Sequence, residues 1–340
     1  VEGVKMDKPL PVAHPVFKVV MNGQEVTAVL TPFLLSVSYT DFVEGEADVL
    51  DIRVEDSDGR FRGAWCPAKG QTLELEFGYE GEPLQKAGLF EIDEIELEGP
   101  PDVVVIRAIA AGVEDHQKTP ENKAYDNTTL AAIAQQVARR RKLKLIGKIE
   151  PIKITRVTQI YESDLTFMHR VADEYGYAFS VKGKEMIFIK RAELRSSKPI
   201  LTLDRTDLTR YHIRDKIMAI AESSETSYHN PKSKRLHRYK VQDTSRATSE
   251  YEVKSNARAE SEAQAKAKAK AALEKANEDA TQLELTVFGN PKLVAGINFE
   301  LTGMGRFGGV YHVVKSRHDI ERSGGYRTEI EAKRIPQEAG

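Results

Sequence analysis

The chain has 340 residues, of which 40% are hydrophobic and 30% charged, and its formal net charge is -2. That balance predicts a globular protein of two or three domains with a buried core, and it excludes overall electrostatic attraction to nucleic acid or to an anionic membrane. No apolar run approaches the ~20 residues of a membrane-spanning helix, and the polar, proline-containing residues 1–15 lack the apolar core of a signal peptide.

Residues 15–112 read as all-β. A first strand ends at Asn22-Gly23, a strong signal for a two-residue hairpin. Phe33, Leu35, Val37 and Tyr39 alternate, and Val49, Ile52 and Val54 alternate with one slip that predicts a bulge. Leu73, Leu75 and Phe77 face one side and Glu74 and Glu76 the other, so one face is buried and one wet. Short strands closed by Gly and Asp turns predict a barrel or a sandwich. The single Cys66 excludes an internal disulfide and fits a reducing cytosol; its neighbours Trp65 and Pro67 predict a packed thiol.

The polar residues 114–126, with Pro120, predict a linker. A helix is expected over 128–142, capped by Asp126 or Asn127, with Leu130, Ile133, Ala134, Val137 and Ala138 on one face. Arg139, Arg140, Arg141 and Lys142 crowd its last turn, where they complement the helix dipole. A second helix starts at the N-cap Ser163, presents Leu165, Met168, Val171, Ala172 and Tyr175, and stops at Gly176. Residues 177–181 and 186–189 then form a hairpin around Lys182-Gly183. Beyond Pro199 the pattern returns to β. Residues 213–227 and 236–241 read as a long hairpin with a basic, exposed connection over 229–235. An Ala-rich helix is expected over 256–279, with a weak apolar stripe, on the outside of the β domain.

One pattern occurs twice. Gly70-x-x-Leu73-x-Leu75 is followed by Gly88-x-Phe90-x-Ile92, and Gly296-x-x-Phe299-x-Leu301 by Gly309-x-Tyr311-x-Val313. A further alternating strand follows each copy, with Val103 and Val105 in the first and Thr328 and Ile330 in the second. The same building block at both ends of a chain suits an assembly part better than an enzyme.

Candidate chemistry is thin, and we assign no catalytic, cofactor-binding or metal-binding residue. Glu91, Asp93, Glu94, Glu96 and Glu98 cluster, but Glu94, Glu96 and Glu98 are spaced by two and share one strand face, whereas a glycosidase needs two opposed carboxylates. No His or Cys pair has metal-ligand spacing, and His169 reads as a surface residue. Gly303-x-Gly305-x-x-Gly308 lies between strands, not before the helix that a phosphate cradle requires. The basic tracts 139–144 and 232–240 read as solvated faces.

Three segments resemble the phage late control gene D protein family, the hub of contractile-tail baseplates, also found in pyocin-like particles. The first is Asp41-Phe42-Val43-Glu44-Gly45-Glu46-Ala47-Asp48, followed by Glu55-Asp56-Ser57-Asp58-Gly59. The second is Phe90-Glu91-Ile92-Asp93-Glu94-Ile95-Glu96 with Gly99-Pro100-Pro101. The third, and the most specific, is Tyr161-Glu162-Ser163-Asp164-Leu165-Thr166-Phe167 with Glu174-Tyr175-Gly176-Tyr177. One departure is Arg141-Lys142-Leu143, where the family often has a helix-ending glycine.

The resemblance implies an α+β, mainly β fold. Two tube-like β-barrel domains (1–115 and 199–340, the second carrying the 256–279 helix) flank a small α/β module (116–198). It also implies a homotrimer whose six barrels match a hexameric tail tube on one side and grip a trimeric central spike, expected as a separate protein, on the other. Other baseplate proteins and the tape measure protein complete the implied partners, without cofactor, enzymatic activity or membrane binding. Assembly in the bacterial cytoplasm into a virion or phage-tail-like particle follows. A peptidoglycan-binding or cell-wall-degrading tail protein, using residues 128–189, is the alternative reading; a nucleic-acid-binding regulator is a third.

Overall fold

The computed structural model describes residues 14–111, 120–216, 220–230, 235–243 and 251–336. The N-terminal part comprises β1 (Pro15–Met21), β2 (Gln24–Glu25), a short α1 (Thr27–Leu30), β3 (Leu34–Phe42), β4 (Val49–Glu55), β5 (Thr72–Tyr79), β6 (Gln85–Glu98) and β7 (Val103–Ala110). Their spatial order is β3-β4-β7-β6-β5-β1-β2. Asn22 and Gly23 both take positive φ, 48° and 79°, as the tight β1–β2 turn demands. In β4 the buried set is Leu50, Ile52 and Val54 in clean alternation, so the slip expected there is absent. The irregularity lies in the partner strand, between Leu34 and Ser36 of β3. Tyr39, Phe77 and Phe90 sit at the centre of this first core. Cys66 is exposed rather than packed, because the loop that carries it is anchored by its neighbours Phe61 and Pro67.

The central module holds β8 (Glu121–Thr129), α2 (Leu130–Arg140), β9 (Lys144–Ile146), β10 (Lys153–Glu162), α3 (Asp164–Tyr175), β11 (Tyr177–Lys182), β12 (Glu185–Lys190) and α4 (Arg191–Ser196). The stretch read as a linker is in part a strand, since β8 pairs antiparallel with β10; residues 112–119 lie outside the described residues. The first helix is capped by Thr129, whose side chain accepts from the Ala132 amide, rather than by Asp126 or Asn127, which lie in β8. Its five expected apolar residues are all buried. Lys142 ends it with φ 55°, taking the backbone conformation of the glycine that the family prefers there. The second helix has the expected cap at Ser163 and the expected stop at Gly176, φ 75°, and its buried face adds Phe167. Gly176 also permits close packing: a Cβ there would lie 3.3 Å from Ala271.

The C-terminal part comprises β13 (Leu201–Asp204), β14 (Leu208–Asp215), β15 (Ala221–Asn230), β16 (Arg235–Gln242), β17 (Tyr251–Ala259), α5 (Glu262–Glu278), β18 (Thr281–Phe288), β19 (Asn298–Thr302), β20 (Gly309–Glu321) and β21 (Gly325–Arg334). The expected long strand over 213–227 is divided: β14 joins the main sheet, whereas β15 forms a separate three-stranded sheet with β16 and β17. The expected basic connection falls largely outside the described residues. The long helix starts at Glu262, not near Asn256, because β17 runs parallel to β15 as far as Ala259 and Ser261 then caps the helix. It does not simply lie on the outside of the β domain. Gln264, Ala265, Lys268, Ala269, Leu273 and Asn277 are buried as it packs between the small sheet and α3. Small alanines bring it close, and Lys268 is neutralised by Glu174 at 2.8 Å.

The main sheet has 13 strands and runs without a break through both ends of the chain. Its C-terminal order, β14-β18-β21-β20-β19-β13, repeats the N-terminal β3-β4-β7-β6-β5-β1 strand for strand. The registers repeat too. Leu73 lies opposite Phe90 as Phe299 lies opposite Tyr311, and Ile92 opposite Ala108 as Val313 opposite Ala332. The β6–β7 ladder slips between Ile92 and Glu94, and β20–β21 between Val313 and Lys315. β14 carries an irregularity between Leu208 and Arg210, the counterpart of the one in β3. The last strands differ: β1 is antiparallel to β5 and carries β2, whereas β13 is parallel to β19 and carries no further strand among the described residues. Each arc has its own core, the second built on Phe299, Tyr311, Leu283 and Ile330.

The two arcs meet side by side. Tyr326 of β21 enters the first core, the Gly289 amide donates to its carbonyl at 2.8 Å, and a Cβ on Gly289 would collide with its ring. Gly289→Ala is therefore expected to destabilise the fold by about 1–3 kcal/mol through overpacking, read as a lower denaturant midpoint at unchanged slope.

Candidate assembly interface

The arcs are joined by one antiparallel ladder. Residues 315–321 of β20 pair with residues 36–42 of β3, while the first half of the same edge of β20 carries β19. On the core face, Tyr39 stacks on His318 with ring centroids 6.1 Å apart, and Val37 opposes Ile320. On the other face Ser38 donates to Asp319, which also receives Arg317 at 3.1 Å. His318 faces Tyr326, Thr328 and Ser316 through hydrogen bonds and has Asp319 beside it in the strand. Burial pushes its pKa down to about 4. Nearby, His312 shares a 2.7 Å hydrogen bond with Asn298. Burial, then the cation of Arg195, lowers it to about 4, with Lys333 adding to that effect and Glu278 opposing it.

A buried ionic clamp ties the central module to both arcs. Lys182, at the end of β11, reaches Asp41 on β3 and, at 3.1 Å, Asp48. The other oxygen of Asp41 accepts from the Ala295 amide of the C-terminal arc at 2.9 Å. One carboxylate thus touches all three parts of the chain. Asp48 accepts from the Phe42 amide at 3.1 Å. Burial raises Asp48 to about 6, with Lys182 pulling the other way. Burial also works to lower Lys182, but Asp41 and Asp48 outweigh it and hold the ammonium charged. A second clamp runs from Arg191 of α4 to Glu44 at 2.9 Å and to Asp173 of α3 at 3.0 Å. The acidic segment 41–48, conspicuous in the sequence, is therefore the N-terminal half of both clamps.

The residues weighed for chemistry separate in space. Glu94, Glu96 and Glu98 do share one strand face, pointing away from the first core. Arg107 lies 3.6 Å from Glu94 and 3.8 Å from Glu96, and Arg53 takes Glu98 at 2.6 Å. His169 is exposed, and the glycines 303, 305 and 308 lie in the β19–β20 loop. One member of the basic tract is not solvated: Arg141 is buried, and together with the partly exposed Arg140 it converges on the fully buried Asp164. They outweigh its burial and hold its carboxyl below the usual range. Sequence spacing gave no sign of this pairing, which forms only when α2 packs on the start of α3. A groove of about 540 Å³ crosses the joint between the arcs on their polar face, lined among others by Thr40, Asp51, Arg107, Lys315, Arg317 and Glu331.

Residues 103–324 match the family model described as phage tail baseplate hub (GPD). The chain belongs to the phage tail baseplate hub family. Over 203 residues it is 34% identical to a probable baseplate hub protein of Escherichia phage 186, and over 204 residues 33% identical to one of Escherichia phage P2. Each match covers 58% of this chain; it covers 51% of the phage 186 protein and 52% of the phage P2 protein, so the chain spans about half the length of the curated relatives it matches. Its mostly-β hub fold is similar to the crystal structure of the tail protein from Neisseria meningitidis MC58. That likeness has a TM-score of 0.69 at 13% identity and covers 94% of this chain and 96% of the other.

Two outcomes follow for this hub chain. Lys182→Met leaves Asp41 and Asp48 buried without their cation, and is expected to cost about 3–5 kcal/mol of unfolding free energy; chemical denaturation measures it. Acidification should also loosen the joint. His312 and His318 have folded pKa values below their unfolded ones, so their stability is present above about 6.5 and lost as pH falls toward 4. Asp48 acts oppositely, with stability lost as pH rises from about 4 to about 6. From pH 6.5 to 5 the balance is a net loss of roughly 2 kcal/mol, and His312→Asn with His318→Asn should remove that loss from a melting-temperature profile and leave the opposite, weaker trend of Asp48.

Proposed function

We propose that the chain is the structural hub of a contractile-tail baseplate, working by geometry and not by catalysis. It assembles as a homotrimer in which the two arcs of each subunit act as tube-like barrels, so that three subunits present a six-part ring. One side of the ring seats the hexameric tail tube. The other, carrying the central modules, grips a trimeric spike, while neighbouring baseplate proteins and the tape measure protein contact its periphery and lumen. The charged groove across the joint then faces the channel. Assembly takes place in the host cytoplasm and the product is part of a virion or a related tail-like particle.

The observation that carries this reading is the repeated strand order, with its repeated registers and ladder slips, joined through β3 and β20. A subunit holding two copies of one block, already paired edge to edge, offers sixfold-like geometry from threefold symmetry. Membership of the baseplate hub family supports the same role. Buried carboxylates held by arginine and lysine clamps suit a part that transmits force, because breaking such pairs is costly.

Mass measurement in solution and negative-stain electron microscopy test the reading. We expect a trimer at micromolar concentration, seen end-on as a ring with six lobes. A chain that stays monomeric even with tube and spike proteins present would refute it.

A further inference from the structure

The internal joint has an unfilled counterpart. β20 carries β19 on the first half of one edge and β3 on the second half. Its equivalent, β6, carries β5 on the first half of the corresponding edge, ending where the Gly70 amide donates to Ile92. The Gly296 amide donates to Val313 at the matching point in the other arc. Beyond it, residues 94–98 pair with β7 alone, and among the described residues no strand covers their other side. The equivalent of β3 is β14, which pairs with β18 and, among the described residues, has its other edge open. Each copy therefore has one open socket and one open strand, related as the two sides of the joint already made.

The register transfers directly. Tyr39 lies opposite Leu50 and Ile213 opposite Leu283, while Leu50 and Leu283 lie opposite Ala108 and Ala332 respectively, so Ile213 stands for Tyr39. Glu94 lies opposite Arg107 as Lys315 lies opposite Glu331, which makes Leu97 the counterpart of His318. Tyr39 pairs with His318, so Ile213 falls opposite Leu97. We propose that β14 of one copy adds antiparallel to residues 94–98 of a second copy, setting Lys216, Arg214 and His212 against Glu94, Glu96 and Glu98. This rests on the homotrimer reading and deepens it, by naming the surface through which the copies join.

Three observations fit the second copy as occupant. First, the charges are complementary. Glu94, Glu96, Glu98 and Asp51 share only Arg107 and Arg53, whereas Arg210, His212, Arg214 and Lys216 form no ion pair among the described residues. Second, the apolar face is complementary. Leu97 is 56% exposed and Tyr211 41%, and the register puts Leu97 beside Ile213 and Tyr211 at the end of β6. Third, open strand edges attract partners. Here the like-charged ladders oppose pairing of β14 with β14 or of β6 with β6, so the contact is head-to-tail and closes a ring.

The test is made on the full chain with Cys66→Ser. Under mild oxidation, Glu96→Cys with Arg214→Cys should link copies into a covalent trimer on a non-reducing gel, while Glu96→Cys with Ile213→Cys, on opposite faces, should not. Arg214→Glu should weaken the trimer roughly tenfold or more without lowering the melting temperature of the subunit, and Glu96→Arg with Arg214→Glu should restore it. Added salt should weaken the wild-type trimer. A trimer that forms normally in Arg214→Glu, with no cross-link from the 96–214 pair, overturns this joint and leaves the hub reading intact. A wild-type chain that never trimerises, with tube and spike present, overturns both.

Discussion

The structure depends on the pairing of β3 with the second half of β20. It is an ordinary antiparallel ladder, yet it joins strands from opposite ends of the chain, with Tyr39 lying opposite His318. Without it there are two separate arcs; with it there is one sheet of 13 strands whose two halves are related by a fixed step. Because backbone hydrogen bonds are directional and cannot be left unmade in a buried setting, the ladder fixes the angle between the halves more tightly than packing alone. The slip after Ile92 in one arc and after Val313 in the other has the same consequence. In β20 the first half of one edge holds β19 and the second half holds β3.

Around that ladder the protein uses charge where a core would be out of reach. Lys182 against Asp41 and Asp48, and Arg191 against Glu44 and Asp173, fasten the central module to the arcs. Such pairs add little net stability, since desolvation offsets most of the attraction. They do add specificity: a misplaced module would leave carboxylates buried and unpaired. The third member of this set, Asp164 held by Arg140 and Arg141, does the same inside the module. A buried ion pair also fixes one relative placement of the module and the arcs, where an apolar surface tolerates several.

Much of the architecture was readable from local pattern. Leu73, Leu75 and Phe77 alternate because one face of β5 is wet, and Ser163 and Gly176 bracket α3 because they answer the unpaired amides and carbonyls at its ends. The duplicated Gly-x-Phe-x-Ile and Gly-x-Tyr-x-Val segments were visible for the same reason, since both sets of glycines take positive φ next to a buried aromatic. Local pattern failed where a distant strand competed with propensity. Residues 256–259 sit in an Ala-rich stretch and read as helix, but the parallel partner β15 claims them for a sheet. Arg140 and Arg141 read as a solvated helix end, although Asp164 waits for them 24 and 23 positions on.

What the sequence determined by itself was each element and its two faces, together with the fact that one block occurs twice, because periodicity and turn chemistry act over a few residues. Only the tertiary structure decided that the two blocks share a sheet, which strand edges they use up and which they leave open. Edge pairing depends on strands brought together from more than two hundred residues apart, and no local preference encodes which of several similar edges will meet.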